Sequence, residues 1–162
     1  MSSTIDAQVR AVPAVHVASL TRTAPGYTGE EIGPVVEPMF TEAARLLEVA
    51  GVAVAGPPLA QYDPTEPGEA PARGVLVTVA FPVADTTTAV PGLDVQTLPA
   101  IDRAAVTVYR GGMDGVGEAW MAFMAWLEAE GHTPTPTARE VYVLPPQTPE
   151  DAWTTELVQP LA

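Results

Sequence analysis

Glu140 and Tyr142 are the pair in this sequence whose types and spacing most directly suggest chemistry. Both fall in a short β-type run, residues 138–143, where the two-residue period of an extended strand puts them on one face. Arg139, Val141 and Val143 take the other face. The face carrying Val141 and Val143 suits cover by a helix, which would turn Glu140 and Tyr142 toward the open side of the sheet. An acid set among aromatic rings is how proteins receive a lipophilic cation: the rings offer their quadrupole faces and the carboxylate supplies the counter-charge. The plainer alternative is a surface glutamate paired with Arg139 or another neighbour.

The remaining members of this constellation come from an internal duplication. One copy runs from about residue 9 to 83 and the second from about 95 to 162. Between residues 36 and 62 the match is ungapped at an offset of 80, so Phe40 falls on Trp120, Gly51 on Gly131, Ala60 on Glu140 and Tyr62 on Tyr142. Two copies are too few for a solenoid, which needs at least three stacked units. A pair of half-domains facing each other across a groove is expected, with two tyrosines, one carboxylate and one small residue at equivalent positions.

The elements that must hold these residues follow from periodicity. Residues 9–21 read as one strand despite Pro13, and residues 23–29 as a turn-rich loop. Val36, Met39, Phe40, Ala43, Leu46 and Leu47 recur at helical spacing between a first-turn Pro34 and the stop at Gly51. Residues 57–62 are extended. Residues 63–73, with three prolines plus Glu66 and Glu69, read as a solvated loop. Residues 75–81 form a strand apolar on both faces, hence central or covered. The second half repeats the order: a strand over 103–109, a Gly-rich turn, a helix over 114–130 with Asp114 as N-cap, a strand over 138–143, a Pro-rich loop, and a strand over 153–158. The fold class is α+β, each half a small antiparallel sheet carrying one helix.

Composition closes off other functions. Seven basic against 20 acidic residues give a net charge of −13, which repels phosphate backbones and argues against direct nucleic-acid binding. No basic region precedes an apolar core at the N-terminus and no apolar run approaches a membrane span, so the expectation is a cytoplasmic globular domain. With no cysteine there is neither a disulfide framework nor a thiolate metal site, and His16 and His132 stand alone, so neither a metal nor a cofactor is expected. Ser2, Ser3 and Ser19 sit in no nucleophile elbow. Gly111-Gly112-Met113-Asp114-Gly115 lacks the Lys and Ser/Thr of a phosphate loop and reads as a turn. Trp120, Phe123, Met124 and Leu127 make a helical stripe of the kind that usually packs into a core, with Trp126 against the sheet; Trp120 keeps a claim on the groove through its equivalence to Phe40.

With these residues in order, the chain resembles the GyrI-like small-molecule-binding family, whose fold is shared by the effector domains of AraC-type and MerR-type multidrug-responsive regulators. The resemblance runs over nearly the whole chain. It is carried by Leu98-Pro99-Ala100 with a strand to Tyr109, by Gly111-Gly112 opening a helix, and by Trp126-Leu127-Glu128-Ala129-Glu130-Gly131. Arg139-Glu140-Val141-Tyr142 and Thr155-Glu156-Leu157 before Pro160 complete it. It implies two tandem β-α-β-β modules, often called SHS2 modules, related by a pseudo-twofold axis, with a ligand groove between antiparallel sheets and a central glutamate that meets cationic ligands. That glutamate maps onto Glu140. The aromatic walls map onto Tyr142, Tyr62, Phe40 and Trp120, with Tyr109, Tyr27 and Trp153 behind them. No helix-turn-helix fits before residue 9, so the expectation is a stand-alone effector domain that senses or sequesters a hydrophobic, cationic or amphipathic small molecule. Stand-alone members are also proposed to hydrolyse cyclopropane-bearing toxins, which here would use Glu140 and Tyr142 as catalytic residues. A further proposed role is inhibition of DNA gyrase through a protein partner.

Overall fold

The computed structural model describes residues 5–26, 29–64, 74–143 and 153–162. The chain runs β1 (Ala7–Val12), β2 (Val15–Ala24), α1 (Gly29–Ala50), β3 (Leu59–Pro64), β4 (Val75–Pro82), β5 (Asp94–Leu98) and β6 (Ile101–Arg110). A 3-10 turn (Met113–Gly115) then leads into α2 (Val116–Ala129), β7 (Ala138–Tyr142) and β8 (Thr154–Pro160). All eight strands join one antiparallel sheet in the order β1-β6-β8-β7-β3-β4-β2-β5. The α+β class expected from sequence is therefore the one observed. The strands of the two halves meet along β3 and β7 in a continuous sheet.

The run expected as one strand over residues 9–21 is two. Pro13 has no N–H to give the ladder, and the chain turns at Pro13-Ala14, so that β1 pairs with β6 of the second half while β2 pairs with β4 and β5. Pro99-Ala100 turns the chain in the same way between β5 and β6. Each half thus lends an edge strand to the other. β5 went unread as a strand because Asp94, Gln96 and Thr97 mask its period, all three being exposed on an edge.

These exchanged edges force the sheet to curl. Val12 and Val15 are three residues apart and so lie within about 11 Å of each other. Yet β1 and β2 stand six strand steps apart in the sheet order, about 29 Å on the flat at the usual spacing. Leu98 and Ile101 impose the same closure between β5 and β6. One face of the sheet is consequently turned in on itself. It buries Val17, Leu59, Ala80 and Leu98 as one cluster and Ala104, Val106 and Val158 as another, Val141 packing against both, with no helix residue in either.

Both helices lie on the opposite face. Met39, Ala43 and Leu47 of α1 are buried, and Met39 packs over Ala60, Tyr62, Val75, Val77 and Val79. Phe123 and Leu127 of α2 pack over Ala105 and Leu157, with Trp120 and Trp126 partly buried beside them. Helix α1 begins at Gly29, five residues before the proline expected to open it, and holds Pro34 and Pro38 in its interior. Both are on its exposed side, where water can serve the carbonyls that lose their N–H partners. Asp114 lies within the 3-10 turn and does not cap α2, whose N-cap is Gly115 without a side-chain bond. Residues 65–73 and 144–152, expected as loops and including Glu66 and Glu69, lie outside the described residues.

Candidate functional site

Helix α1 rests on β2 and β4 and reaches β3 through Met39, while α2 rests on β6 and reaches β8 through Phe123 and Leu127; β7 lies between β3 and β8 in the sheet. On the face beneath the helices Ala60 pairs directly with Glu140, Tyr62 with Ala138, Tyr142 with Thr155 and Glu140 with Leu157. The two-residue period brings Tyr62 and Tyr142 to the same face as Glu140, one along each central strand. From above, Phe40 of α1 and Trp120 of α2 reach toward the same centre.

Glu140 is 6% exposed, so its carboxylate must find its partners inside the protein. Among the described residues it has three, all donors. The Tyr142 hydroxyl donates to Oε1 at 2.7 Å, the Tyr62 hydroxyl to the same oxygen at a long 3.5 Å, and the Trp120 indole N–H to Oε2 at 2.7 Å. Such donors to an ionised acceptor contribute about 1.5–3 kcal/mol each when well formed, so the anion is held by neutral groups. No cationic side chain forms a salt bridge with it among the described residues. Phe40 packs edge-on to Tyr142 with centroids 5.5 Å apart, and edge-on to Phe81 at 5.8 Å.

The two tyrosines are themselves tuned by this arrangement. Burial raises the Tyr62 hydroxyl far above its ordinary range, and the neighbouring Glu140 charge adds to the effect. Tyr142 is raised in the same direction, by desolvation first and then by Glu140 and Tyr62. Both therefore remain neutral donors at any physiological pH, a partner set suited to a carboxylate and offering no charge to compensate it.

Four of the residues expected at the groove, Tyr142, Tyr62, Trp120 and Phe40, are thus brought to or beside Glu140. Tyr109 is placed differently: it packs with the α2 cluster and donates its hydroxyl to the Gly112 carbonyl at 2.7 Å, anchoring the turn from β6 to α2. Trp153 opens the approach to β8, its carbonyl accepting from Gly111 N–H at 2.9 Å. Tyr27 lies outside the described residues. Phe81, which packs edge-on to Phe40, was not among the residues expected there. Its alternation with Val75, Val77 and Val79, which pack under α1, is the signal that could have found it.

One expectation is reversed. Glu140 and Tyr142 share their face with the helices, and Val141 is on the helix-free face. The apolar face of β7 needed cover, but the curl of the sheet supplies it, which freed the helices to roof the polar pair. The pairing of Glu140 with Arg139 also does not occur: Arg139 points to the opposite face and donates through Nε and Nη2 to Gln61 Oε1 at 3.1 and 2.9 Å.

The family model of the GyrI-like small molecule binding domain matches residues 6–162. Among solved structures, the C-terminal domain of EcmrR superposes with a TM-score of 0.75 at 20% identity, covering 99% of each chain. SAV2435 bound to tetraphenylphosphonium superposes with a TM-score of 0.66 at 12% identity, over 98% of this chain and 94% of the other. A hydrolase from Listeria innocua matches with a TM-score of 0.60 at 13% identity, over 96% and 91% of the two chains. At these identities the likeness is one of fold. No curated protein sequence matches this one.

Proposed function

The chain belongs to the family of GyrI-like small-molecule-binding domains, and we propose that it takes up a lipophilic cation at Glu140, in drug or toxin sensing or in sequestration. The observation that carries this reading is a carboxylate 6% exposed whose partners are three neutral donors. A buried charge whose partners among the described residues are all neutral is energetically poised for a counter-ion, because a cation entering beside it recovers Coulomb energy in a medium of low dielectric. Aromatic rings on both helices and both central strands supply cation–π surface. SAV2435, which shares the fold, is seen with tetraphenylphosphonium, a cation of this class.

In this reading the pseudo-symmetric halves act as two tandem modules in one domain, and the groove is roofed by half-buried Trp120 and Phe40. A ligand must first draw Trp120 from Glu140, and its own charge replaces the indole N–H. The protein is read as a cytoplasmic binder; no helix of the described residues is long and apolar enough to cross a membrane.

The test is a tryptophan-fluorescence titration with tetraphenylphosphonium and with neutral triphenylphosphine oxide, on wild type and Glu140→Gln. Saturable binding of the cation, weakened at least about tenfold in the variant, equivalent to roughly 1.4 kcal/mol, is the expected result. Equal binding to both proteins would remove Glu140 from the site.

A second reading rests on the 2.7 Å contact between Tyr142 and Glu140, a geometry suited to passing a proton to or from a bound substrate in a hydrolytic reaction. The donors on Glu140 must be displaced before a substrate can reach its carboxylate, so binding without turnover is the favoured outcome. Mass spectrometry of the recovered ligand separates the two.

A further inference from the structure

Arg139 stands back to back with Glu140 on β7 and is 4% exposed. Its Nε and Nη2 both donate to one neutral oxygen, Gln61 Oε1, and among the described residues the guanidinium has no other side-chain partner and no carboxylate within salt-bridge distance. Asp63, whose charge acts on Arg139, is engaged elsewhere, accepting from Gln61 Nε2 at 3.2 Å and from Thr137 Oγ1 at 2.5 Å. Burial lowers the Arg139 pKa, with Asp63 only partly offsetting the effect. Arg139 lines an open depression of about 270 Å³ on the helix-free face, walled by Pro99, Ile101 and Pro160 with Thr135 and Thr137.

The duplication shows that this charge is not needed for packing. At the offset of 80, Leu59 corresponds to Arg139 and Gln61 to Val141. The pairings across the central strands are Leu59 with Val141 and Gln61 with Arg139, so these two pairs occupy equivalent ends of the same face. One end is an apolar pair packed against Val17, Ala80 and Leu98. The other keeps a buried cation beside open space, although replacing buried ionic groups by well-packed apolar ones is often neutral or stabilising.

We propose that this depression binds a small monocarboxylate, its carboxyl group on the Arg139 guanidinium and its apolar part against Pro99, Ile101 and Pro160. The planar fork of an arginine matches a carboxylate or an oxyanion in two-point contact. Asp63 nearby and a net charge of −13 select a singly charged carboxylate over a phosphate dianion. A volume of about 270 Å³ lies just below the range of drug-sized pockets, so the acid is ring-sized or smaller. The site is on the far face of the sheet from Glu140 and stands or falls separately from the cation reading.

The experiment is an NMR titration of the full chain with benzoate in low-chloride buffer, following the backbone amide resonances of Ile101, Thr135 and Thr137, which line the depression and are present in every variant, with inorganic phosphate as comparator. A saturable shift with benzoate, at least tenfold weaker with phosphate, lost in Arg139→Met and retained in Glu140→Gln is expected. The double substitution Gln61→Val with Arg139→Leu copies the apolar end, so it should fold and show no benzoate response, which keeps the test sound if Arg139→Met does not fold. No saturable shift in wild type, an unchanged benzoate response in either Arg139 variant, or tighter binding of phosphate would each overturn the proposal.

Discussion

Ala60 and Glu140 are direct cross-strand partners and also equivalent residues of the two halves, so the point where the sheet's halves meet is the point where they differ by one carboxylate. Ala60 is fully buried in one cluster with Met39 of α1, so the position opposite the acid is closely covered. Ala60→Leu should overfill this centre. It is expected to cost about 1–3 kcal/mol of stability by denaturant unfolding and to abolish cation binding.

Glu140→Gln separates charge from hydrogen bonding. Trp120 can only donate, whereas a tyrosine hydroxyl can turn and accept. The glutamine carbonyl will therefore face the indole and its amide will donate to Tyr142. All partners stay satisfied, so stability should change by less than about 1 kcal/mol, while cation affinity falls at least about tenfold. Chemical denaturation and fluorescence titration of the same samples check both halves of the expectation.

Trp120→Phe keeps a ring but removes the N–H that a ligand must displace. Losing a hydrogen bond to a buried charge should destabilise the free protein by about 1.5–3 kcal/mol. The competing donor is lost as well, so affinity for tetraphenylphosphonium, measured by calorimetry, is expected to hold or rise. A fall in affinity as large as that of Glu140→Gln would mean that the indole grips the ligand instead of guarding the acid.

The site centre was legible in sequence for a specific reason: the offset of 80 aligned Ala60 with Glu140 and Tyr62 with Tyr142, and strand period then put them together. Phe40 and Trp120 followed from the same alignment and lie on the two helices above. The side of the sheet on which the helices sit was not legible, because Val141 and Val143 look like a helix-covered face. Only the two-residue links at Pro13-Ala14 and Pro99-Ala100, considered with the pairing of β1 to β6 and β5 to β2, reveal that the sheet curls and buries that face itself. Local pattern gives the strands; which partners they choose is a long-range matter. Arg139 was misread for the same reason, since its partner Gln61 is 78 residues away.

The raised tyrosines predict an alkaline limit to stability. In the unfolded chain Tyr62 and Tyr142 ionise near pH 10, whereas in the folded protein both remain protonated well above it. The native state then binds more protons than the unfolded one, so stability falls as pH rises beyond about 10 and is unaffected by these groups below it. Absorbance titration at the phenolate band should show these two tyrosines ionising only as the protein unfolds. Replacing both by phenylalanine should flatten the high-pH loss in unfolding free energy.

Tyr109 and Gly115 provide a test of what positions α2, and with it Trp120. The Tyr109 hydroxyl bonds to the Gly112 carbonyl and fills the space where a Cβ on Gly115 would stand. Gly115 has φ −94°, so an alanine there is strained by the collision alone and not by its backbone. Gly115→Ala should therefore cost about 1–3 kcal/mol through overpacking. Tyr109→Phe removes the colliding oxygen together with its hydrogen bond, at about 1 kcal/mol. In the double variant the nearest ring atom to the new methyl is a carbon at 3.2 Å, a tight contact in place of the collision, so the two costs should combine to less than their sum, with a coupling of 0.5 kcal/mol or more in a double-mutant cycle. Additive costs would mean that the turn from β6 into α2 relaxes around the new methyl. In that case Trp120 is held by the Phe123 and Leu127 packing of α2 and not by its N-terminal anchor.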